Sequence, residues 1–314
     1  MTQPCFDRRG LALIALAGAL WPVAAAADLT APSPIPRPQG APPAPADTGA
    51  LADLYRRMTA PVRIDGQGPY AFVVDTGANR SVVSAELAAQ LALPRGAAQS
   101  LNDAAGVQLV PTVTARLAVG RGREAELVLS VLPAASIGGL GMIGLDRLAD
   151  QRLTLDFHGQ QLRIEGAFGS ARDPLDVVVR ARRRAGQLTL VDADLDGAPI
   201  TAFLDSGSET TIGNLALCAL ARAKDPAGAW TTASIISASG QTIPADVATL
   251  PDLRVGGLRL RGLPVAFADL HTFRLWDLTA RPAILLGVDV LSRFDAVQLD
   301  FARGEVRFRL PTAA

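Results

Sequence analysis

The chain has 314 residues, of which 49% are hydrophobic and 19% are charged, and its formal net charge at pH 7 is zero. A chain this apolar is not intrinsically disordered, and it is long enough for two lobes of ordinary domain size. It lacks the surplus of basic residues that nucleic-acid-binding proteins carry, so we expect no nucleic acid partner.

The N-terminal segment resembles a bacterial export signal. Two arginines at 8–9 precede an apolar stretch over 11–20, which Pro22 interrupts and small residues follow as far as Ala27. This order of basic, apolar and small residues is typical of a signal peptide. We therefore predict a signal peptide over 1–27 and a mature protein that is periplasmic or secreted.

Two features of the signal leave alternatives open. Residues 7–11 also resemble a twin-arginine signal. An uncleaved membrane anchor is the alternative to cleavage, but the apolar stretch is short for a span and Pro22 interrupts it. No later segment is long and apolar enough to cross a bilayer, so we expect no stable membrane span once the signal is removed.

The segment over 28–49 is rich in proline and alanine, which is typical of an extended tether that builds no core. The chain contains two cysteines, and because Cys5 lies in the signal, only Cys218 remains in the mature protein. One cysteine cannot form an internal disulfide. With only His158 and His271 there is no histidine cluster, so we predict no metal and no cofactor.

An internal repeat organises the remaining chain. From Ile64 the sequence reads IDGQGPYAFVVDTGANRSVV, and from Leu195 it reads LDGAPITAFLDSGSETTI. Each copy has an Asp-Gly turn, a proline and an apolar strand that runs into Asp-Thr/Ser-Gly. Such turns and strands are typical of β-hairpins with one buried strand. The repeat therefore predicts two related β units, each with one aspartate at a strand end, Asp75 and Asp205.

Further landmarks recur in the same order in both copies. They are Val119-Gly120 and Val255-Gly256, then Met142-Ile143-Gly144 and Leu285-Leu286-Gly287, and finally Leu155-Asp156-Phe157 and Leu299-Asp300-Phe301. Together with the Asp-Thr/Ser-Gly motif these make four landmarks in the same order, which is the signature of a duplication. Short strands bounded by Gly, Pro and Asp dominate, so we predict a mainly β protein. Helical periodicity is confined to 85–93, 215–223 and two short stretches at 145–151 and 288–294.

The repeated motif suits a pair of catalytic carboxylates. A carboxylate that activates water must be held rigidly at the end of a buried strand, as Asp75 and Asp205 would be. Gly77 and Gly207 allow the tight reversal that must follow. The same letters occur once more at Asp47, but there they follow proline and alanine and have no repeat partner, so we expect that aspartate to be inert.

The strings VVDTGANRSVVS and FLDSGSETTIGN, with the later Gly motifs, resemble retropepsin-type aspartic proteases of the bacterial exported kind. The resemblance covers the chain from about Ile64. It implies two β-barrel lobes, over 50–168 and 169–314, related by a pseudo-twofold axis through Asp75 and Asp205 within one chain. It implies further that Thr76 and Ser206 interlock below the site, where they belong to the loops Thr76-Gly77-Ala78 and Ser206-Gly207-Ser208. The motifs Ile143-Gly144 and Leu286-Gly287 would pack against those loops.

By this resemblance the chain is an aspartic endopeptidase that acts on a polypeptide substrate as a monomer rather than an obligate dimer. The alternatives are an inactive protease-like protein that binds peptides or serves as a scaffold, and a dimer with two intermolecular sites. Both copies keep the aspartate and its glycine, which favours the active enzyme.

Three finer predictions follow. Mobile covers over the substrate are expected at the Gly-centred hairpins around Gly106 and Gly240. By the resemblance to pepsin-like enzymes, the hydroxyl of Ser208, which Ala78 lacks, is expected to hydrogen-bond the nearby carboxylate and to make Asp205 the easier of the two to ionise. Asp146 and Asp289, at matching places in the repeat, are expected to be surface or capping groups.

Overall fold

The computed structural model describes residues 57–120, 122–148, 151–166, 176–184 and 187–311. The predicted signal peptide and tether, with Asp47, lie outside these residues. Strands dominate, which confirms the mainly β class. The strands are β1 Thr59–Ile64, β2 Gln67–Val74, β3 Val82–Ser84, β4 Arg95–Asn102, β5 Val107–Val119, β6 Ala125–Leu132, β7 Gly141–Ile143, β8 Gln151–Asp156, β9 Gln161–Gly166, β10 Asp176–Arg184, β11 Gln187–Leu195, β12 Ala198–Leu204, β13 Ile212–Gly213, β14 Thr231–Ile236, β15 Thr242–Val255, β16 Leu258–Phe267, β17 Ala283–Leu286, β18 Ala296–Asp300 and β19 Glu305–Arg309. The helices are α1 Ala85–Gln90, α2 Ala134–Ile137, α3 Leu145–Leu148, α4 Leu215–Lys224, α5 His271–Leu275 and α6 Val288–Leu291.

The first copy forms a closed barrel. Strands β1, β2, β7, β3, β6 and β5 neighbour one another in that order, and β1 pairs with β5 to close the ring. Strand β4 pairs with β5 and forms a hairpin beside the ring. Closure leaves the ring without open strand edges. Apolar side chains such as Val62, Phe72 and Leu117 are fully buried and fill the core.

The second copy repeats the arrangement. Strands β15, β16, β13, β17, β12 and β11 neighbour one another in order, β11 pairs with β15 to close the ring, and β14 forms a hairpin with β15. Each strand therefore corresponds to the strand ten places earlier. The prediction of two β-barrel lobes in one chain is confirmed.

A further group of strands joins the two copies. The β8–β9 hairpin of the first copy continues the sheet of β10, β19 and β18 through the pairing of β8 with β18. These two strands are equivalent in the repeat, and they pair antiparallel, with Leu155 opposite Val297. Antiparallel pairing of equivalent strands is what a pseudo-twofold axis produces. The predicted lobe boundary between 168 and 169 falls within 167–175, outside the described residues.

The helices depart from the sequence prediction in number. Four of them, α1, α3, α4 and α6, lie where periodicity predicted them, although α1 ends at Gln90 and α6 ends at Leu291, each before the end of its predicted segment. In the segment predicted for α3, residues 149–150 lie outside the described residues. Two further helices, α2 and α5, form where the sequence shows no helical periodicity. With four and five residues, each is too short for helical periodicity to be recognised. In the described part of the chain, no helix is long and apolar enough to span a membrane.

Candidate active site

Asp75 and Asp205 occupy equivalent places at the ends of β2 and β12. The N–H of Asp75 donates to the carbonyl of Ile143, and the N–H of Asp205 donates to the carbonyl of Leu286, each at 3.0 Å. These bonds continue the parallel pairing of β2 with β7 and of β12 with β17. Each aspartate is therefore fixed at the last rung of a buried strand pair.

The two carboxyl groups face each other across the boundary between the lobes. A Cβ atom on Gly77 would lie 2.6 Å from the carboxyl carbon of Asp205, and one on Gly207 would lie 2.2 Å from that of Asp75. Contacts this short do not occur, so each loop needs a glycine because the other lobe's carboxyl group lies against it. The structure thus brings the two predicted aspartates together within one chain.

Burial raises the pKa of both carboxyl groups. Desolvation, followed by the negative charge of Asp205, raises the pKa of Asp75 to about 8. Desolvation raises the pKa of Asp205 as well. At each aspartate, backbone N–H groups two and three residues ahead partly oppose this by donating to Oδ1, at 2.8 and 2.9 Å in the first loop and 3.0 and 3.2 Å in the second. A pair that holds one shared proton is the state that two such close carboxyl groups favour.

Thr76 and Ser206 cross-link the two loops below the carboxyl groups. The N–H of each residue donates to the hydroxyl oxygen of the other, at 3.1 and 3.0 Å. The Thr76 hydroxyl donates to the carbonyl of Leu204 at 3.0 Å, and the Ser206 hydroxyl donates to the carbonyl of Val74 at 2.7 Å. Both residues are buried, and these four bonds fix the distance between the aspartates.

The later Gly motifs support the loops from the other side. The N–H of Leu145 donates to the carbonyl of Ala78, and that of Val288 donates to the carbonyl of Ser208, each at 2.8 Å. A Cβ atom on Gly144 or Gly287 would lie 2.7 Å from the backbone of the catalytic loop. Any larger residue at either glycine would displace the loop that carries the aspartate.

Sequence reasoning missed the role of two further carboxylates. Asp146 accepts hydrogen bonds from the N–H (2.9 Å) and hydroxyl (2.7 Å) of Ser81, which ends the first catalytic loop. Asp289 does the same for Thr211 in the second copy, at 3.1 and 2.7 Å. Their interpretation as surface or capping groups is therefore incomplete, because each ties a Gly motif to a catalytic loop. Each of these aspartates stands two residues after the glycine of its Gly motif, and this matching position was the signal in the sequence.

The predicted role of Ser208 is wrong. Its hydroxyl donates to the carbonyl of Thr210 at 2.8 Å, and only its backbone N–H reaches the carboxyl group of Asp205. The turn at this point directs the side chain along its own loop. The hydroxyl therefore gives no reason for Asp205 to be the easier aspartate to ionise.

The two predicted covers are hairpins whose tips meet. The tip of β4–β5 contains Asp103 and Gly106, and the tip of β14–β15 contains Ser239 and Gly240. A carboxylate oxygen of Asp103 accepts hydrogen bonds from the N–H (3.1 Å) and the hydroxyl of Ser239. Burial works against the charged form of Asp103, but the bonds from Ser239 and from the backbone of its own turn lower the pKa of this carboxyl group.

Each tip also reaches the opposite lobe. Ala104 packs against the apolar cluster of the second lobe that contains Phe203, two residues before Asp205. Ala238 packs against the cluster of the first lobe that contains Val73, two residues before Asp75. The two tips therefore bridge the lobes beside the carboxyl pair.

Among the described residues, no group of three or more His, Cys, Asp or Glu side chains is placed to hold a metal ion. The absence of a cofactor stays a prediction.

Each of the two closed barrels has a buried strand that runs into Asp-Thr/Ser-Gly, and the two barrels bring their carboxyl groups together. This arrangement defines the aspartic protease class of fold. The first barrel matches the family model described as gag-polyprotein putative aspartyl protease over residues 60–150, and the second matches the model described as aspartyl protease over residues 191–290. The chain therefore contains two aspartyl protease domains in tandem, one in each barrel. No curated protein matches the sequence.

Proposed function

We propose that the chain is an aspartic endopeptidase whose Asp75/Asp205 pair activates a water molecule. The observation that carries the proposal is the close approach of two carboxyl groups from matching strand ends, with Asp75 buried and Asp205 half-buried, each held by its own loop and lying against the glycine of the other lobe. The match of both barrels to aspartyl protease families supports it.

The chemistry follows from the shared proton. The ionised carboxylate accepts a proton from a water molecule, which attacks the carbonyl carbon of the peptide bond. The protonated partner donates a hydrogen bond to the carbonyl oxygen and stabilises the charge that develops there. Because the two carboxyl groups titrate as a pair, acid and base roles belong to the pair and exchange during turnover.

The substrate is proposed to be a polypeptide that lies between the carboxyl pair and the two hairpin tips. The tips meet in this structure, so they must separate to admit a chain. A single chain supplies both carboxyl groups, which supports a monomeric enzyme. We propose export to the periplasm or medium, with a mature N-terminus near Asp28, on the strength of the N-terminal sequence.

Cleavage of an unfolded protein substrate, followed across pH with and without a statine-type inhibitor, tests the activity. Asp75→Asn and Asp205→Asn should each lower kcat/KM by at least about 100-fold while the fold is kept. Asp47→Asn is the matched control and should cleave normally. A parent protein that binds peptides without cleaving them would instead support the non-enzymatic alternative.

The compartment is tested separately by mass spectrometry of the mature protein from the periplasmic fraction. An N-terminus near residue 28 is the expected result. An intact Met1 on a cytoplasmic protein would contradict export.

A further inference from the structure

Arg57 and Gln187 lie at equivalent places beside the two aspartates. In the first lobe Thr59 pairs with Val73, and the N–H of Val74 donates to the carbonyl of Met58 at 2.8 Å. Continuing this register by one residue places Arg57 opposite Asp75.

In the second lobe Thr189 pairs with Phe203, and the same continuation places Gln187 opposite Asp205. The duplication has thus left a cation beside one aspartate and a neutral amide beside the other.

Both side chains are buried and held by hydrogen bonds. Arg57 is 7% exposed, and its Nη2 donates to the carbonyls of Ile137 (3.1 Å) and Gly138 (3.3 Å). Gln187 is 1% exposed, and its Nε2 donates to the carbonyl of Gly77 (3.0 Å) and to Oδ1 of Asn79 (3.3 Å) in the opposite lobe. Neither residue can be accounted for as a solvated surface group.

We propose that Arg57 is a positioning residue for the carboxyl pair, whose fixed positive charge keeps one carboxyl group ionised and makes the two sides of the site electrostatically unequal. The proposal rests on the proposed function for its catalytic consequence, but the charge effect itself does not depend on turnover.

The physical reason is the cost of ionising a buried carboxyl group. Burial alone would keep both carboxyl groups protonated at pH values well above the one at which a carboxyl group usually ionises. Neither would then be a base that can accept a proton from water. A nearby cation favours the ionised form, and the Arg57 charge lowers the pKa of both Asp75 and Asp205 against the larger effect of burial.

Other charged side chains belong to the elements packed around the pair. They are Arg80 and Glu209 on the catalytic loops, and Asp146, Asp289 and Arg293 beside the Gly motifs. Glu209 stands four residues after Asp205, where Asn79 stands after Asp75. The charges beside the two aspartates therefore also differ on the catalytic loops, where one loop carries a neutral amide and the other an acidic residue.

The test is a titration of the aspartate carboxyl carbons by NMR of selectively ¹³C-labelled protein, with Asp75→Asn used to assign the pair. In Arg57→Gln the titration of the pair should move to higher pH, whereas Arg57→Lys, which keeps the charge, should stay near the parent. Arg63→Gln removes an exposed arginine from β1, the strand that begins two residues after Arg57, and should change nothing. Arg57→Met is a second neutral variant in case the first does not fold.

The pH profile of kcat/KM, measured on the same proteins, should show both limbs displaced to higher pH in the neutral variants. An unshifted titration in a folded neutral variant would overturn the proposal, and so would an equal shift in Arg57→Lys. If the parent titrates as expected but cleaves no peptide, the proposed function fails while the inference about Arg57 stands.

Discussion

The backbone N–H of Ser206 donates to the hydroxyl oxygen of Thr76 at 3.0 Å, and the N–H of Thr76 donates to the hydroxyl oxygen of Ser206 at 3.1 Å. This reciprocal pair joins the two lobes directly below their aspartates. Each hydroxyl also donates to a carbonyl of the other lobe, so neither has an unused donor.

Removing one hydroxyl should weaken this junction. Ser206→Ala leaves the buried carbonyl of Val74 without its donor and the N–H of Thr76 without its acceptor, so we expect a loss of about 1–3 kcal/mol in the free energy of unfolding. Ser206→Thr keeps the hydroxyl that the first copy already uses and should recover most of the loss. Chemical denaturation measures both, and equal stability of Ser206→Ala and the parent would contradict the assigned role.

The glycines of the catalytic loops should tolerate no side chain. A Cβ atom on Gly77 or Gly207 meets the opposite carboxyl group at 2.6 or 2.2 Å, so either alanine variant must push the aspartates apart. A displacement of about 1 Å is enough to lower kcat/KM by about 100-fold. Gly257→Ala is the control, because a Cβ atom there meets its nearest neighbour, Val177, at an ordinary 3.5 Å. Full activity in Gly207→Ala would show that the carboxyl groups are not held as described.

The raised pKa of Asp75 predicts how stability depends on pH. A carboxyl group with a pKa of about 8 in the folded protein and an ordinary value near 3.8 when unfolded binds its proton more tightly when folded. Its contribution to stability is therefore fully present below about pH 4 and is lost as the pH rises towards 8, by at most about 1.4 kcal/mol per pH unit.

Asp75→Asn removes this dependence, so the variant should gain stability relative to the parent as the pH rises from 4 to 8. Thermal unfolding at several pH values measures the difference. A constant difference across that range would show that the carboxyl group is not shifted.

The contact between the hairpin tips should slow the entry of ligands. Ser239→Ala removes a hydroxyl that donates to the Asp103 carboxylate and accepts from Gln108 at 2.5 Å. Because a bond to a charged group contributes about 1.5–3 kcal/mol, separation of the tips becomes easier. Since the tips must separate before an inhibitor enters, we expect association of a statine-type inhibitor to be faster by about 10- to 150-fold, as measured by stopped-flow. Ser100→Ala, an exposed position on the β4–β5 hairpin that carries Asp103, should leave the rate unchanged.

The sequence by itself determined the β class, the duplication and the two aspartates. Each of these can be recognised within short stretches of sequence. An apolar strand that ends in Asp-Thr/Ser-Gly is visible in one such stretch, and its recurrence identifies the second motif. The hairpins with Gly106 and Gly240 were visible for the same reason, because a Gly-rich tip between two strands is a local pattern.

Only the tertiary structure decided which contacts these residues make. The direction of the Ser208 hydroxyl depends on the turn of its own loop, which the letters do not specify. The position of Arg57 opposite Asp75 depends on strand register, and the tie between Asp289 and Thr211 joins residues far apart in the chain. Hydrogen bonds and charges act over a few ångströms in space, so their partners are fixed only when the two barrels close and meet.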